Sequence, residues 1–128
     1  MGGVMREKGF DPEIILVSTA ERARHTAELL IEAGKLTGEL RPEPQIYEAS
    51  PQTLRQIVAG IDNRYASAML VGHNPGVEGL IHFLTGQLEP MSTAALAVVR
   101  LAIDGWDEAN EGSGQLVALY RPKEMMAN

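Results

Sequence analysis

The sequence predicts an α/β domain in three layers, an α/β/α sandwich whose sheet is mostly parallel and ends in an antiparallel C-terminal pair. Three observations carry this expectation. Two short apolar runs, Ile14 to Ser18 and Ala68 to Gly72, each lead through a turn into a segment with helical apolar spacing. Two further strand-like runs, Leu96 to Ile103 and Leu116 to Tyr120, are joined by a polar, acidic stretch. The 128 residues match one ordinary domain, 1–128, which at this size buries about two-thirds of the surface its unfolded chain exposes. Strands alternating with helices in so short a chain imply a parallel sheet flanked by helices.

Each element follows from local chemistry. Arg6 and Lys8 before Gly9 read as the last turn and terminal glycine of a helix, since cations suit the carbonyl end and glycine tolerates a left-handed exit. Too few residues precede this ending for a helix that stands alone, so the chain is expected to begin inside an element. A frayed terminus with a chance glycine is the alternative. Asp11-Pro12 is a turn, and the β-branched run after it is a strand buried on both faces. Ala23, Ala27, Leu30 and Ile31 trace a helix closed by Gly34. Residues 35–44 read as a loop and Gln45-Ile46-Tyr47 as a short strand. Ser50 is an N-cap with Pro51 at the first helical position, and Leu54, Ile57, Val58 and Ile61 form that helix's apolar face. Asn74-Pro75 opens the next helix, with Val77, Leu80, Ile81 and Leu84 inward and Gly86 at its end. Asp104 to Gly114 is expected to be a mobile hairpin connection.

Composition excludes several function classes. Seventeen acidic against eleven basic residues give a net charge of −6, the wrong sign for nucleic acid or an anionic membrane surface, so neither is an expected partner. No apolar stretch approaches the roughly 20 residues of a membrane helix. The N-terminus lacks the apolar run of a secretory signal, and a cytoplasmic location is expected. The absence of cysteine rules out disulfides, thiolate metal sites and a cysteine nucleophile. The three histidines have no metal-ligand spacing, and no phosphate-loop or dinucleotide glycine pattern occurs, so neither a metal nor another cofactor is expected.

Ligands of such sheets bind at the carboxyl ends of the strands, where loops run into helix N-termini. Two loops stand there, Ser18 to Arg22 and Gly72 to Gly76. Ser18 to Glu21 fits the S-x-x-E capping box. Arg22 falls in the first helical turn, where the helix dipole disfavours a cation. An anion held there reverses the sign, because first-turn amides and a guanidinium fork together grip phosphate oxygens. Taken alone, such an arginine is more often simply solvated. His73 follows the strand through Gly72, so its imidazole projects at the carboxyl end of the sheet. An imidazole there can donate to a phosphoryl oxygen, attack as a nucleophile or transfer a proton, with a structural histidine as the equal alternative. His25, in mid-helix, and His82, paired with Glu78 at i,i+4, read as solvent-facing.

Leu16-Val17-Ser18, Arg22-Ala23 and Thr26-Ala27-Glu28-Leu29-Leu30 resemble the S-x-x-x-R-A-x-x-T segment of the histidine phosphatase superfamily. Val71-Gly72-His73-Asn74-Pro75-Gly76 resembles its second-histidine motif. Tyr47-Glu48-Ala49, Thr93-Ala94-Ala95-Leu96 and Arg121-Pro122-Lys123 narrow the resemblance to the small SixA-type phosphohistidine phosphatases. It implies that Arg22 grips phosphate and that His73 is the pocket histidine that stabilises the transferring phosphoryl group. Glu48 takes the place where the family keeps a proton donor, and Thr93 and Ala94 the place where a backbone amide completes the pocket. The implied substrate is a phosphomonoester or a phosphorylated protein histidine. The chain is too short for a large insertion over the site, so an open pocket is expected.

One departure from the family is large. The R-H-G triplet that ends the family's first strand and carries its nucleophilic histidine occurs nowhere in these 128 residues. The resemblance therefore implies that the first central strand is missing, so that the domain is N-terminally truncated relative to the family and is inactive or impaired as a phosphatase. A non-catalytic phosphate-binding or interaction module is the alternative. Arg22 and His73 are expected in one pocket. Without a central strand, the edges formed by residues 14–18 and 68–72 are expected to expose unpaired backbone, leading to self-association or to filling of the gap by N-terminal residues.

Overall fold

The computed structural model describes residues 2–91 and 95–120. Helix α1 (Gly2–Lys8), strand β1 (Ile14–Val17), helix α2 (Glu21–Gly34), strand β2 (Glu39–Pro42), helix α3 (Pro51–Ala59), strand β3 (Ala68–Val71), helix α4 (Gly76–Thr85), strand β4 (Leu96–Leu101) and strand β5 (Gly114–Tyr120) follow in order. The expected α/β architecture is present, with a three-stranded parallel sheet in the order β2-β1-β3 and an antiparallel pair β4-β5.

β1 is the spine of the molecule. All four of its residues are buried, because the pleat sends Ile14 and Leu16 to one face and Ile15 and Val17 to the other. The first face packs with Leu54 and Val58 of α3 and Leu80 and Leu84 of α4. The second packs with Met5 of α1, Ala23 and Ala27 of α2, and Met69 and Val71 of β3. Two cores, one on each side of the sheet, give the three layers. α3 begins as expected, with the Ser50 hydroxyl accepting from the Thr53 amide at 3.2 Å and Pro51 at the first helical position.

Several expectations are corrected. Residues 39–42, read as loop, form β2. All four are exposed and the segment ends in proline, so no alternation marks them, and pairing with β1 makes them a strand. Residues 45–47 are no strand: Pro44–Ile46 is a 3-10 turn whose one deep anchor is Ile46. Lys35, rather than Gly34, takes the left-handed exit of α2 at φ 51°. Gly34 serves instead for close approach, its missing Cβ lying 3.2 Å from the Gly2 carbonyl oxygen of α1. The 104–114 connection carries Ala109, 0% exposed, into the core, and Trp106 donates from its indole to the Tyr65 carbonyl at 2.9 Å.

The expected exposed edges are also revised. β1 is paired on both sides, so residues 14–18 expose no edge. The parallel sheet ends at β2 and β3; β3 and β4 are not paired to each other, and both line one cavity of about 1860 Å³. The N-terminal residues fold as α1 against α2 rather than as a strand in that cavity.

Candidate functional site

The carboxyl ends of β1 and β3 are tied together where the Ser18 amide donates to the Val71 carbonyl at 3.1 Å. Ser18 is 1% exposed and turns its hydroxyl inward to accept from the Ala20 amide at 3.2 Å. The capping box is therefore not formed. The N-cap of α2 is Ala20, two residues further on than a box with Ser18 requires, and it has no oxygen to offer. No side chain among the described residues accepts from the first-turn amides of α2. Arg22 stands on that turn, exposed, with no ion pair among the described residues.

His73 stands two residues beyond β3, exposed, with no hydrogen bond to its imidazole among the described residues. Its carbonyl accepts from the Val77 amide at 3.2 Å, which joins the loop to the start of α4. The Asn74–Pro75 peptide is cis.

Glu48 arrives from the other side. The Glu43 amide donates to the Val17 carbonyl at 2.7 Å, and the Glu43 carboxylate caps the 3-10 turn through the Gln45 amide at 3.2 Å. Buried Ile46 then holds the turn, and Glu48 leaves it exposed, in the left-handed region at φ 50°. Two glycines let this loop meet the His73 loop. A Cβ on Gly76 would lie 2.4 Å from the Ala49 carbonyl oxygen, and one on Gly72 would lie 3.0 Å from Cγ2 of Ile46.

Arg22, Glu48 and His73 all line the cavity that runs between β3 and β4. Thr26 lines it too. Thr93 and Ala94, like Arg121 to Lys123, lie outside the described residues. His25 and His82 are exposed, as expected. Glu78 does not pair with His82. Its Oε1 accepts from the Asn74 side-chain amide at 3.0 Å and from the Met91 backbone amide at 2.7 Å. Sequence reasoning missed this link, because its two ends are thirteen residues apart and on different elements. No three His, Asp or Glu residues converge as metal ligands among the described residues.

The arrangement offers unpartnered first-turn amides, a guanidinium and an imidazole at one end of a parallel sheet, with a carboxyl group on the same cavity. Guanidinium groups, first-turn amides and imidazoles are the kinds of group that can hold the oxygens of a tetrahedral oxyanion.

No protein-family model matches the chain. An uncharacterized protein of Mycobacterium leprae is 27% identical over 132 residues, covering 95% of this chain and 79% of that protein. Among solved structures, the protein histidine phosphatase SixA complexed with tungstate is similar with a TM-score of 0.81 and 23% identity, over 97% of this chain and 78% of that one. A protein of Agrobacterium tumefaciens assigned as a SixA phosphohistidine phosphatase is similar with a TM-score of 0.78 and 23% identity, over 94% and 75%. The fold is that of the SixA-type histidine phosphatases. No described helix is long and apolar enough to cross a membrane.

Proposed function

We propose that this chain is the phosphate-binding body of a histidine-type phosphatase acting on phosphohistidine or phosphomonoesters. One observation carries the proposal: on the fold of SixA, Arg22 and His73 stand without partners among the described residues at the carboxyl ends of two adjacent parallel strands and line one cavity. Tungstate, a tetrahedral oxyanion, is bound in the similar SixA structure and supports the same ligand chemistry here.

In the proposed reaction Arg22 holds the phosphoryl oxygens and His73 stabilises their charge as it shifts in the transition state. A second histidine attacks phosphorus in line with the leaving group. A phosphorus–nitrogen bond forms to that histidine while the bond to the leaving group breaks, and Glu48 supplies the leaving group's proton. Water then releases phosphate and regenerates the imidazole. His73 cannot hold both posts, because it contacts the phosphoryl oxygens from the side. The attacking histidine belongs to the R-H-G triplet, which these 128 residues lack. This reading seats the strand that would bring it in the cavity lined by β3 and β4, and it expects those edges to pair two copies when nothing else covers them.

The test is calorimetric titration of the 128-residue chain with orthovanadate, beside an assay with an aryl phosphate and a phosphohistidine peptide. Vanadate binds, Arg22→Ala weakens it roughly 100-fold, His73→Ala weakens it roughly 10-fold, and hydrolysis stays near background. A chain extended upstream by a strand ending in R-H-G turns over. Strong hydrolysis by the 128 residues that vanishes in His73→Ala would make His73 the nucleophile and overturn this division of roles. The same absence of the triplet favours a second reading, a non-catalytic phosphate-binding module that binds vanadate and stays silent even when extended.

A further inference from the structure

We propose that Asn74 and Glu78 are positioning residues of the His73 loop, clasping the backbone of Met91 so that the two segments beside the anion site keep one geometry. The proposal rests on the reading of Arg22 and His73 as an oxyanion site. Asn74 directly follows His73, and its side chain uses both of its polar ends. Oδ1 accepts from the Glu78 amide at 3.2 Å, while Nδ2 donates to Glu78 Oε1 at 3.0 Å and to the Met91 carbonyl. Glu78 Oε1 also accepts from the Met91 amide at 2.7 Å. Two side chains thus take both backbone groups of one residue, as a neighbouring strand would, although Met91 belongs to no strand.

The placement of these groups relative to the cavity decides what the clasp does. Asn74 and Met91 line it together with His73, whereas Glu78 does not. The Glu78 carboxylate is held at Oε1 by two donors, one from each of the lining residues Asn74 and Met91. The Asn74 Oδ1 bond adds a second function, since α4 has Pro75 as its N-cap and no side-chain cap from that residue. Asn74 takes up the Glu78 amide from the preceding position. The bonds of one side chain thus start α4, fix the peptide that follows His73 and hold the 91-segment. Fixed donors and a fixed imidazole are what oxyanion stabilisation requires, because a group that must reorient on binding loses part of its interaction.

The experiment compares Glu78→Ala, Glu78→Gln and Asn74→Ala in the 128-residue chain. Two readouts are used, orthovanadate affinity by calorimetry and the His73 ring resonances by carbon–proton correlation NMR. Glu78→Gln keeps an oxygen at the Oε1 position and is the rescue variant. Glu78→Ala and Asn74→Ala are expected to shift and broaden the His73 ring resonances and to weaken vanadate roughly 10-fold, with Glu78→Gln within about 3-fold of the parent. The double variant is expected to be no weaker than either single one, because both belong to one unit. His73 resonances unchanged in Glu78→Ala, or Glu78→Gln as impaired as Glu78→Ala, would overturn the clasp. A vanadate loss that only follows a fall in the urea midpoint would do the same. If the parent chain takes up no vanadate, the oxyanion reading falls by itself, and the NMR comparison alone decides the clasp.

Discussion

The two ends of the parallel sheet are built on opposite principles. At the amino end, polar and charged side chains are partnered. Asp11 accepts from the Thr37 hydroxyl at 2.6 Å and the Thr37 amide at 2.9 Å, and Glu13 accepts from the Ala66 amide at 2.7 Å. Glu39 pairs with Arg41 and accepts from the Tyr65 hydroxyl at 2.9 Å. At the carboxyl end, Arg22 and His73 have no side-chain partners among the described residues. The amino end staples loops that only need to be held. There Arg22 and His73 keep their donors free while Asn74 beside His73 is paired, and strand carboxyl ends are where such sheets take ligands. Pairing Arg22 and His73 would occupy the donors that the proposed anion needs.

The largest expected effect lies in the spine that the two ends share. Ile15 is fully buried in mid-strand, and Ile15→Ala is expected to cost about 2–5 kcal/mol of unfolding free energy in urea. Vanadate affinity per folded molecule should barely change; a large change would mean that the carboxyl end is not an independently built site. Next comes Gly79, where a Cβ would stand 2.3 Å from Cγ of Pro51 at the crossing of α3 and α4. Gly79→Ala should cost about 1–3 kcal/mol by overpacking. Gly3→Ala, with nothing within 4 Å of the new Cβ, should gain up to about 1 kcal/mol from helix propensity. Equal effects at the two glycines would show that the crossing has room for a methyl group.

The ends themselves are separated by a pair of Arg→Lys changes. Arg22→Lys loses the fork that holds two oxygens and is expected to weaken vanadate roughly 10-fold, whereas Arg41→Lys at the stapled end should leave it unchanged. Matching losses would erase the contrast.

The smallest effect is in pH. The Thr37 hydroxyl first, and its amide second, hold the Asp11 carboxyl below its ordinary value. Glu39 is held down in the same way, by Arg41 first and then by Tyr65. A carboxyl lowered in the folded state binds protons more weakly there than in the unfolded chain. Its contribution to stability is therefore present above the ordinary carboxylate value and fades as pH falls through the lower folded one. Thr37→Val should raise the Asp11 midpoint in a carboxyl-carbon NMR titration and move the Glu39 midpoint little. An Asp11 midpoint that stays put would show that Thr37 is not the cause.

Local sequence determined the elements whose pattern is self-sufficient. β1 and β3 were legible as apolar runs, α2 and α4 from helical spacing, and α3 from Ser50, Pro51 and its face, because burial of one face demands those residues at those intervals. The site was legible in part: the order of strand and loop along the chain is enough to put Arg22 and His73 at strand ends. Tertiary structure decided the rest. Glu39 to Pro42 become a strand only because β1 offers an edge, and Ser18 fails as a cap because its hydroxyl is drawn inward to Ala20. Glu78 finds Asn74 and Met91 instead of His82, and β1 has no free edge because β2 and β3 flank it on both sides. A residue's own neighbours in the chain set its propensity and its face. Which distant backbone group meets its side chain is set by how helices and sheet pack, and a single sequence read locally does not contain that geometry.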